Sequence, residues 1–435
     1  MVKELNRKMK DSGVEWIGEI PEDVDIISNK YLFKYIKGKN PKEFNSEKRG
    51  LPYIGASDLE KDGDIHDYEN YSIEELPTVE KDETLVLWDG ARAGLIGIGH
   101  TGYIGSTIVK VIPRVDYVDK KYWYWYLKGF QPLLLDWVGG TTIPHMNRKF
   151  INEIKFINFP LSQQKSIANF LDEKTQEIDN IISKTKKAIE EYKRYKQSLI
   201  TETVTKGLDE NVEMKDSGIE WIGEIPEHWR ITRLKYYLEN VKNAIRVGPF
   251  GSHLKGEDFV NEGLWVYNQR TVLDRNFETN DTFITAEKYN DMIGFGVEAK
   301  DILVTTRGSI GKICRVPEQF EKGIIHPCII KFKLDDSKFN YRILELIFNE
   351  SDFVRKQFVI LSNSTTIDVI YSETLKNILV PAIPINEQKA IVSYLDKKCS
   401  QIDQIISSKE KLLREMEAYK KSLIYETVTG KREVE

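Results

Sequence analysis

The chain has 435 residues, 40% hydrophobic and 30% charged, with a formal net charge of −5 at pH 7. That length exceeds one ordinary core and predicts two or more domains of a soluble globular protein. No run approaches the roughly 18 uninterrupted apolar residues of a membrane span, and the charged start MVKELNRKMKD lacks the apolar stretch of a signal peptide, so a cytoplasmic protein without membrane contact is expected.

In chain order, positions 9–22 read MKDSGVEWIGEIPE and return at 214–227 as MKDSGIEWIGEIPE, differing only at Val14 and Ile219. A second repeat joins 160–205, from PLSQQKSIANFLDE to SLITETVT, with 384–429, from PINEQKAIVSYLDK to SLIYETVT. Two copies are too few for a solenoid, so the chain is a tandem duplication of head, variable region and long helix. The expected parts are 1–160 (head and first variable domain), 161–213 (first long helix and linker), 214–384 (second head and variable domain) and 385–435 (second long helix and tail). Mid-chain, ETVTKGLDENVE runs into the second head, whereas ETVTGKREVE runs out where a further head would begin. The first head is therefore expected to fill that place, in a pseudo-two-fold arrangement.

In the first variable region, 84–88 and 107–112 read as strands, 90–105 as glycine-rich connections, and the aromatic run 122–126 as the start of a core-facing helix. The second region repeats the plan, with strands at 301–306 and 329–334, a turn at 307–311 and a helix at 341–358. The predicted fold class is mixed α/β (α+β), with two similar domains of dissimilar sequence.

The long segments carry heptads. Leu171, Ile178, Thr185, Tyr192 and Leu199 fall seven apart, with Ile181, Ala188 and Tyr195 three residues behind the middle members. In the second copy Leu395, Ile402, Lys409, Met416 and Leu423 take the first position and Ile405, Leu412 and Tyr419 the other. Such a repeat predicts one helix packed along another. Each helix spans roughly 60 Å at 1.5 Å per residue, and antiparallel pairing is the natural closure. The expected packing residues are Leu171, Ile178, Ile181, Tyr192, Leu199, Leu395, Ile402, Ile405, Met416 and Leu423. Thr185 and Lys409 interrupt the stripes and are expected to meet partners.

No catalytic or metal constellation emerges. Gly97-Ile-Gly-His-Thr-Gly102 matches GxGxxG but runs into a strand rather than a helix, which makes it a hairpin connection instead of a phosphate loop. Gly311-Lys312 lacks the upstream glycine of a P-loop, and the Asn-Pro-Pro-aromatic element of an amino-methyltransferase is absent. His326-Pro-Cys328 has no second ligand pair, and Cys314, Cys328 and Cys399 form no CxxC spacing, which argues against zinc and fits a reducing compartment. Recognition chemistry remains: Arg and Lys against guanine, Asn and Gln against adenine, hydroxyls and cations against phosphate. The loop candidates are Arg92, Thr141, Thr142, His145, Asn147 and Arg148 in the first domain. In the second they are Ser252, His253, Lys255, Asn268, Gln269, Arg270, Arg307, Ser309, Lys312, Asn363, Thr365 and Thr366. The acidic balance is unusual for a nucleic-acid binder, although a basic groove can sit on an acidic body.

Together the heads GVEWIGEIP and GIEWIGEIPEHW, the loop Gly248-Pro-Phe-Gly-Ser252, Thr306-Arg-Gly-Ser-Ile-Gly311 and the twin helices ending Leu-Ile-x-Glu-Thr-Val-Thr closely resemble the specificity (S) subunit of type I restriction-modification systems, over essentially the whole chain. The first domain departs from the pattern, with Trp88-Asp-Gly-Ala-Arg-Ala-Gly94 where the second has Thr-Arg-Gly-Ser-Ile-Gly, so Arg92 and Arg307 are not matched by sequence. The resemblance implies a non-catalytic DNA-binding subunit. Each variable region would read one half of a bipartite asymmetric double-stranded DNA target. The helices would set the spacer and dock two methyltransferase (M) and two restriction (R) subunits. It implies no cofactor in this chain; S-adenosylmethionine, ATP and Mg belong to the partners. A methylation-only complex or a related type II-like system would carry the same pattern. A coiled-coil scaffold indifferent to DNA, or a standalone methyltransferase or nuclease, is the rival class.

Overall fold

The computed structural model describes residues 7–60, 68–136, 145–146, 151–152, 154–250, 253–362 and 369–434. The chain divides into two compact units, 1–186 with 411–435, and 187–410. Each unit thus holds part of both long helices, Leu161–Lys206 and Ile385–Val428. Pro160 precedes the first helix, and Gly207 ends it in the left-handed region at φ +77°, where a side chain is disfavoured.

In the first unit a four-stranded antiparallel sheet runs in the order Phe33–Lys37, Ile108–Pro113, Thr84–Leu87, Ile96–Gly97. Thr84–Leu87 is buried at every position, which explains its continuous apolar character. The second unit repeats this order with Ile245–Val247, Ile329–Phe332, Ile302–Thr305 and Ile313–Arg315. A second, mixed sheet accompanies each. It contains one parallel pair, Leu51–Ile54 with Gly102–Ile104 in one unit and Leu264–Tyr267 with Gly323–Ile325 in the other. Even an ion pair recurs on the main sheet, Lys110 with Glu83 at 2.9 Å and Lys331 with Asp301 at 2.8 Å. The two domains share a fold although their sequences differ.

Helix Lys120–Gly129 follows its N-cap Asp119, whose carboxylate accepts the Tyr122 N–H at 2.8 Å. The aromatic run is core, as expected: Tyr122, Trp123 and Tyr126 are wholly buried, and Trp123 stacks on Phe33 at 3.7 Å. Two local expectations are corrected. The predicted 341–358 helix breaks into Tyr341–Asn349 and Phe353–Ser362, because the Ser351 hydroxyl donates to the Ile347 carbonyl and accepts the Phe353 N–H. The GxGxxG stretch closes no hairpin. It links Ile96–Gly97 of one sheet to Gly102–Ile104 of the other, with His100 buried against the Tyr68 hydroxyl at 3.0 Å.

Within each unit the long-helix segments run antiparallel. In the first, Lys420 donates to the Asp179 carboxylate at 2.7 Å and Lys186 lies 3.8 Å from Glu417. In the second, Lys196 donates to Asp403 at 2.8 Å and the Lys409 ammonium sits 5.8 Å from the Tyr192 ring centre. Of the residues expected in the packing, Leu171, Ile178, Leu395, Ile402 and Leu423 are buried, and Tyr192, Leu199 and Met416 half-buried. Ile181 and Ile405 are the correction, at 44% and 38% exposed. The buried line runs one residue further on, through half-buried Ile182 and Ile406 and buried Ile189, so the second heptad position drifts to the flank. Thr185 is buried and Lys409 half-buried, so these polar residues belong to the packing rather than to an outward face.

The heads are β-hairpins of the same register, Met9–Asp11 with Glu19–Pro21 and Met214–Asp216 with Glu224–Pro226. The first meets the end of the second long helix, as the repeat order predicts. The Tyr425 hydroxyl and the Lys431 ammonium both donate to the Ile17 carbonyl, at 3.0 and 2.8 Å. In the second unit, Gly207 at the end of the first long helix lies against Pro226 of the second head and Trp229 just past it.

Candidate nucleic-acid interface

One end of each main sheet carries an irregular loop held by the same backbone bonds. In the first unit the Trp88 N–H donates to the Thr107 carbonyl, the Gly94 N–H to Leu87, and the Met146 N–H to Trp88. In the second, Thr306 donates to Cys328, Gly311 to Thr305, and Ile370 to Thr306. Trp88 therefore corresponds to Thr306 and Gly94 to Gly311. Arg92 lies four residues into its loop and Arg307 one residue into a shorter one, so the two share a loop but not a position on it. Both are exposed. In the first unit Asp89 forms a bridge with exposed His145, which brings His145 beside the Arg92 loop.

The second unit assembles more of its candidates. A Cβ on Gly308 would lie 3.1 Å from the Gln269 side chain, so Gln269 stands beside the Arg307–Ser309 turn. Gly308 has φ +65° and Gly311 +75°, and both need glycine's freedom. Behind them His326 packs parallel to Phe259, with Nδ1 2.9 Å from the Cys328 sulfur, and burial lowers the pKa of this histidine. Gly248 has its backbone against the His326 carbonyl, where a Cβ would come within 2.2 Å. Phe250 follows, 76% exposed, an aromatic outside the polar candidate set.

Two candidates are corrected. The Lys312 ammonium turns inward and donates to the Asn349 carbonyl at 2.6 Å, and burial lowers its pKa. Asn268 is the N-cap of helix Gln269–Asp274: its side-chain oxygen accepts the Arg270 N–H and its amide donates to Thr282. The Arg270 guanidinium is exposed but paired with Asp281 at 2.9 Å. Lys255 is exposed, with its ammonium 3.5 Å from Glu257, and His253 is exposed as well. Thr141, Thr142, Asn147, Arg148, Ser252, Asn363, Thr365 and Thr366 lie outside the described residues. The structure brings Gln269 beside Arg307 and Ser309 within the second unit, and His145 beside the Arg92 loop within the first. Guanidinium and carboxamide groups of this kind match base edges and phosphates.

Among the described residues no group of His, Cys, Asp and Glu could hold a metal ion, and no helix is long and apolar enough to cross a membrane.

A family model described as the type I restriction modification DNA specificity domain matches residues 21–191 and again 254–417. The chain is 29% identical over 419 residues to the type I restriction enzyme MjaVIII specificity subunit of Methanocaldococcus jannaschii, covering 95% of this chain and 93% of that one. It is 24% identical over 403 residues to the EcoBI specificity subunit of Escherichia coli, covering 90% of this chain and 80% of that one. Its fold is similar to a chain from a solved structure concerning assembly and conformational transition of the type I R-M system, at a TM-score of 0.66 and 14% identity, covering 91% of this chain and 97% of that one.

Proposed function

The chain belongs to the type I restriction-modification specificity family, and on that premise we propose how its parts divide the work of the complex. It is a specificity subunit with two target-recognition domains and carries no catalysis or cofactor of its own. Each domain reads one half of a split double-stranded DNA target through the loop end of its main sheet. The long helices fix the spacer and dock two methyltransferase subunits, to which two restriction subunits are added.

One contrast carries this reading. Where the two copies diverge, as between Trp-Asp-Gly-Ala-Arg and Thr-Arg-Gly-Ser on equivalent loops, the scaffold is the same and the reading groups differ. That suits two unlike half-sites. Where the copies agree on exposed apolar residues, they suit one kind of partner met twice. Ile181 and Ile405 are the same residue 224 positions apart, 44% and 38% exposed; Tyr195 and Tyr419 repeat this at 55% and 45%. Their recurrence at equivalent places on the two helices, rather than their exposure alone, supports a partner met twice.

The test is methylome sequencing of cells carrying this chain with its methyltransferase. Arg307→Ala should relax one half-site, with a loss of about 1–3 kcal/mol at the affected position. Exchange of 230–383 for another recognition domain should change that half-site alone. Alteration of both half-sites by either change would overturn modular readout.

A further inference from the structure

Beyond the heads, the two copies lose their likeness almost at once. Between positions 23–37 and 228–242, only Ile26, Lys30, Tyr31 and Lys37 recur, as Ile231, Lys235, Tyr236 and Lys242. Ile26 needs no functional reason, because it lies in the short strand Asp25–Ser28 that pairs with Lys155–Asn158. The Lys-Tyr pair is different. Tyr31 is 65% exposed and Tyr236 61%, so neither is retained for the core. In both units the lysine ammonium lies over the adjacent ring, at 4.7 Å for Lys30 and 5.1 Å for Lys235. The same cation and the same aromatic face are therefore held out to solvent twice, at the same distance from two heads that differ at a single position.

In the second unit the pair borders an open pocket of about 550 Å³. Trp221 from the head, Arg233, Lys235, Gln357, Ile360 and Leu361 line it, the last two being 53% and 45% exposed. Its one carboxylate, Glu373, already accepts from Asn377 and faces Lys376. Among the described residues, Arg233 and Lys235 are paired with no carboxylate. The pocket thus offers an apolar floor beside two uncompensated cations.

Its place argues for protein over DNA. In the first unit Phe33, next to the pair, is matched with Pro113, whereas Lys37 at the far end of that strand is matched with Val109 and bonds Asp89 of the recognition loop. Four residue steps at about 3.3 Å each separate the two ends. In the second unit Leu238 bridges Leu334, at the opposite end of the sheet from Thr306 and Arg307.

We propose that Lys30–Tyr31 and Lys235–Tyr236 are a second docking point of each unit for the methyltransferase subunit, taking a segment in which a carboxylate stands beside an apolar side chain. The inference rests on the twofold docking proposed above and adds a contact away from the helices. The carboxylate meets the lysine, joined in the second unit by Arg233, while the apolar neighbour packs on the tyrosine face and, in the second unit, enters the pocket.

The experiment uses the full chain produced with its methyltransferase, with stoichiometry read by native mass spectrometry and affinity by titration. Lys235→Glu with Tyr236→Ala should weaken binding of one methyltransferase copy about tenfold or more, leaving complexes with a single copy at low concentration. Lys30→Glu with Tyr31→Ala should do the same for the other copy. Lys235→Arg should keep both. DNA retention by the free chain and its melting temperature should not change. Wild-type assembly in both double variants would overturn the proposal, as would a loss confined to DNA retention, which would place the pairs on the phosphate backbone. Ile405→Asp and Tyr419→Asp separate the two readings. If they abolish assembly while the Lys-Tyr variants do not, the helix docking stands and this inference falls. If they too leave it intact, the docking reading itself has failed.

Discussion

The side-chain oxygen of Gln388, wholly buried at the start of the second long helix, accepts the backbone N–H of Asn340 at 2.7 Å. Its amide donates to the carbonyls of Lys338 and Ile383, at 3.0 and 2.8 Å. Gln164 does the same in the first unit, accepting from Asp119 at 2.9 Å and donating to Tyr117 and Phe159 at 3.0 and 2.8 Å. Asn340 and Asp119 are the N-caps of the helices that pack on the long ones. One carboxamide thus ties each recognition domain to its long helix. Eight residues on, Asp396 and Asp172 repeat the tie, accepting from Arg342 and from Lys121 and Trp125.

Gln388→Ala should therefore destabilise the second unit by about 3 kcal/mol, since three bonds are lost and the Asn340 N–H is left buried without its acceptor. Gln388→Glu should cost at least as much, because two carbonyls would face a carboxylate. Urea denaturation followed by Trp229 and Trp265 fluorescence checks both. A change below about 0.5 kcal/mol would show that the clamp is incidental.

The buried ion pair of the second sheet gives a second outcome. Asp301 is fully buried and Lys331 nearly so. Lys331→Met strands the carboxylate and should cost roughly 3–5 kcal/mol. Adding Asp301→Asn removes the orphan charge and should recover part of that loss. The comparison is made on equilibrium unfolding curves, and equal stability of the single and double variants would contradict it.

Much of this fold was legible in the sequence for a physical reason. Duplication exposes the unit, and a seven-residue repeat can be satisfied only by a helix lying along another. The face of that helix was harder to read. Ile181 and Ile405 have the same chemistry whether they meet this chain or another one, and sequence does not separate a seam within the chain from one between chains. Lys312 was misplaced because the contact that turns it inward, the Asn349 carbonyl, lies 37 residues away. Asn268 was readable: an Asn directly before a helix is an N-cap signal, and capping rather than base reading occupies its side chain.

Thiol titration should make the second unit sensitive to alkali. All three cysteines lie between 187 and 410. Burial pushes the Cys314 thiol from an ordinary value of 9.0 up to about 12 and Cys399 to about 11. A thiol with a raised folded pKa ionises first in the unfolded chain, so its stabilising effect is complete below pH 9 and is lost as pH rises toward the folded value. Between pH 8 and pH 10 the Cys314 contribution falls by about 1.4 kcal/mol. Cys314→Ala should flatten the stability–pH curve by that amount. Lys196 has the same sign: burial pulls its pKa down, but bonds to Asp403 and Glu350 outweigh this and raise it, so its contribution fades only above its unfolded pKa.

The ruler proposal can be tested without touching either reader. The buried stripe recurs every seven residues, so inserting one heptad after Thr185 and a matching heptad after Lys409 preserves both the packing and the phase of the ion pairs Asp179–Lys420 and Lys196–Asp403. Seven residues add about 10.5 Å of helix, close to two turns, or about three base pairs at 3.4 Å each. Both half-sites should stay as they are while the methylated spacer lengthens by about three base pairs. A heptad in one helix only throws the antiparallel register out by seven residues and should abolish assembly instead. An unchanged spacer with both heptads in place would mean that something other than these helices sets the distance.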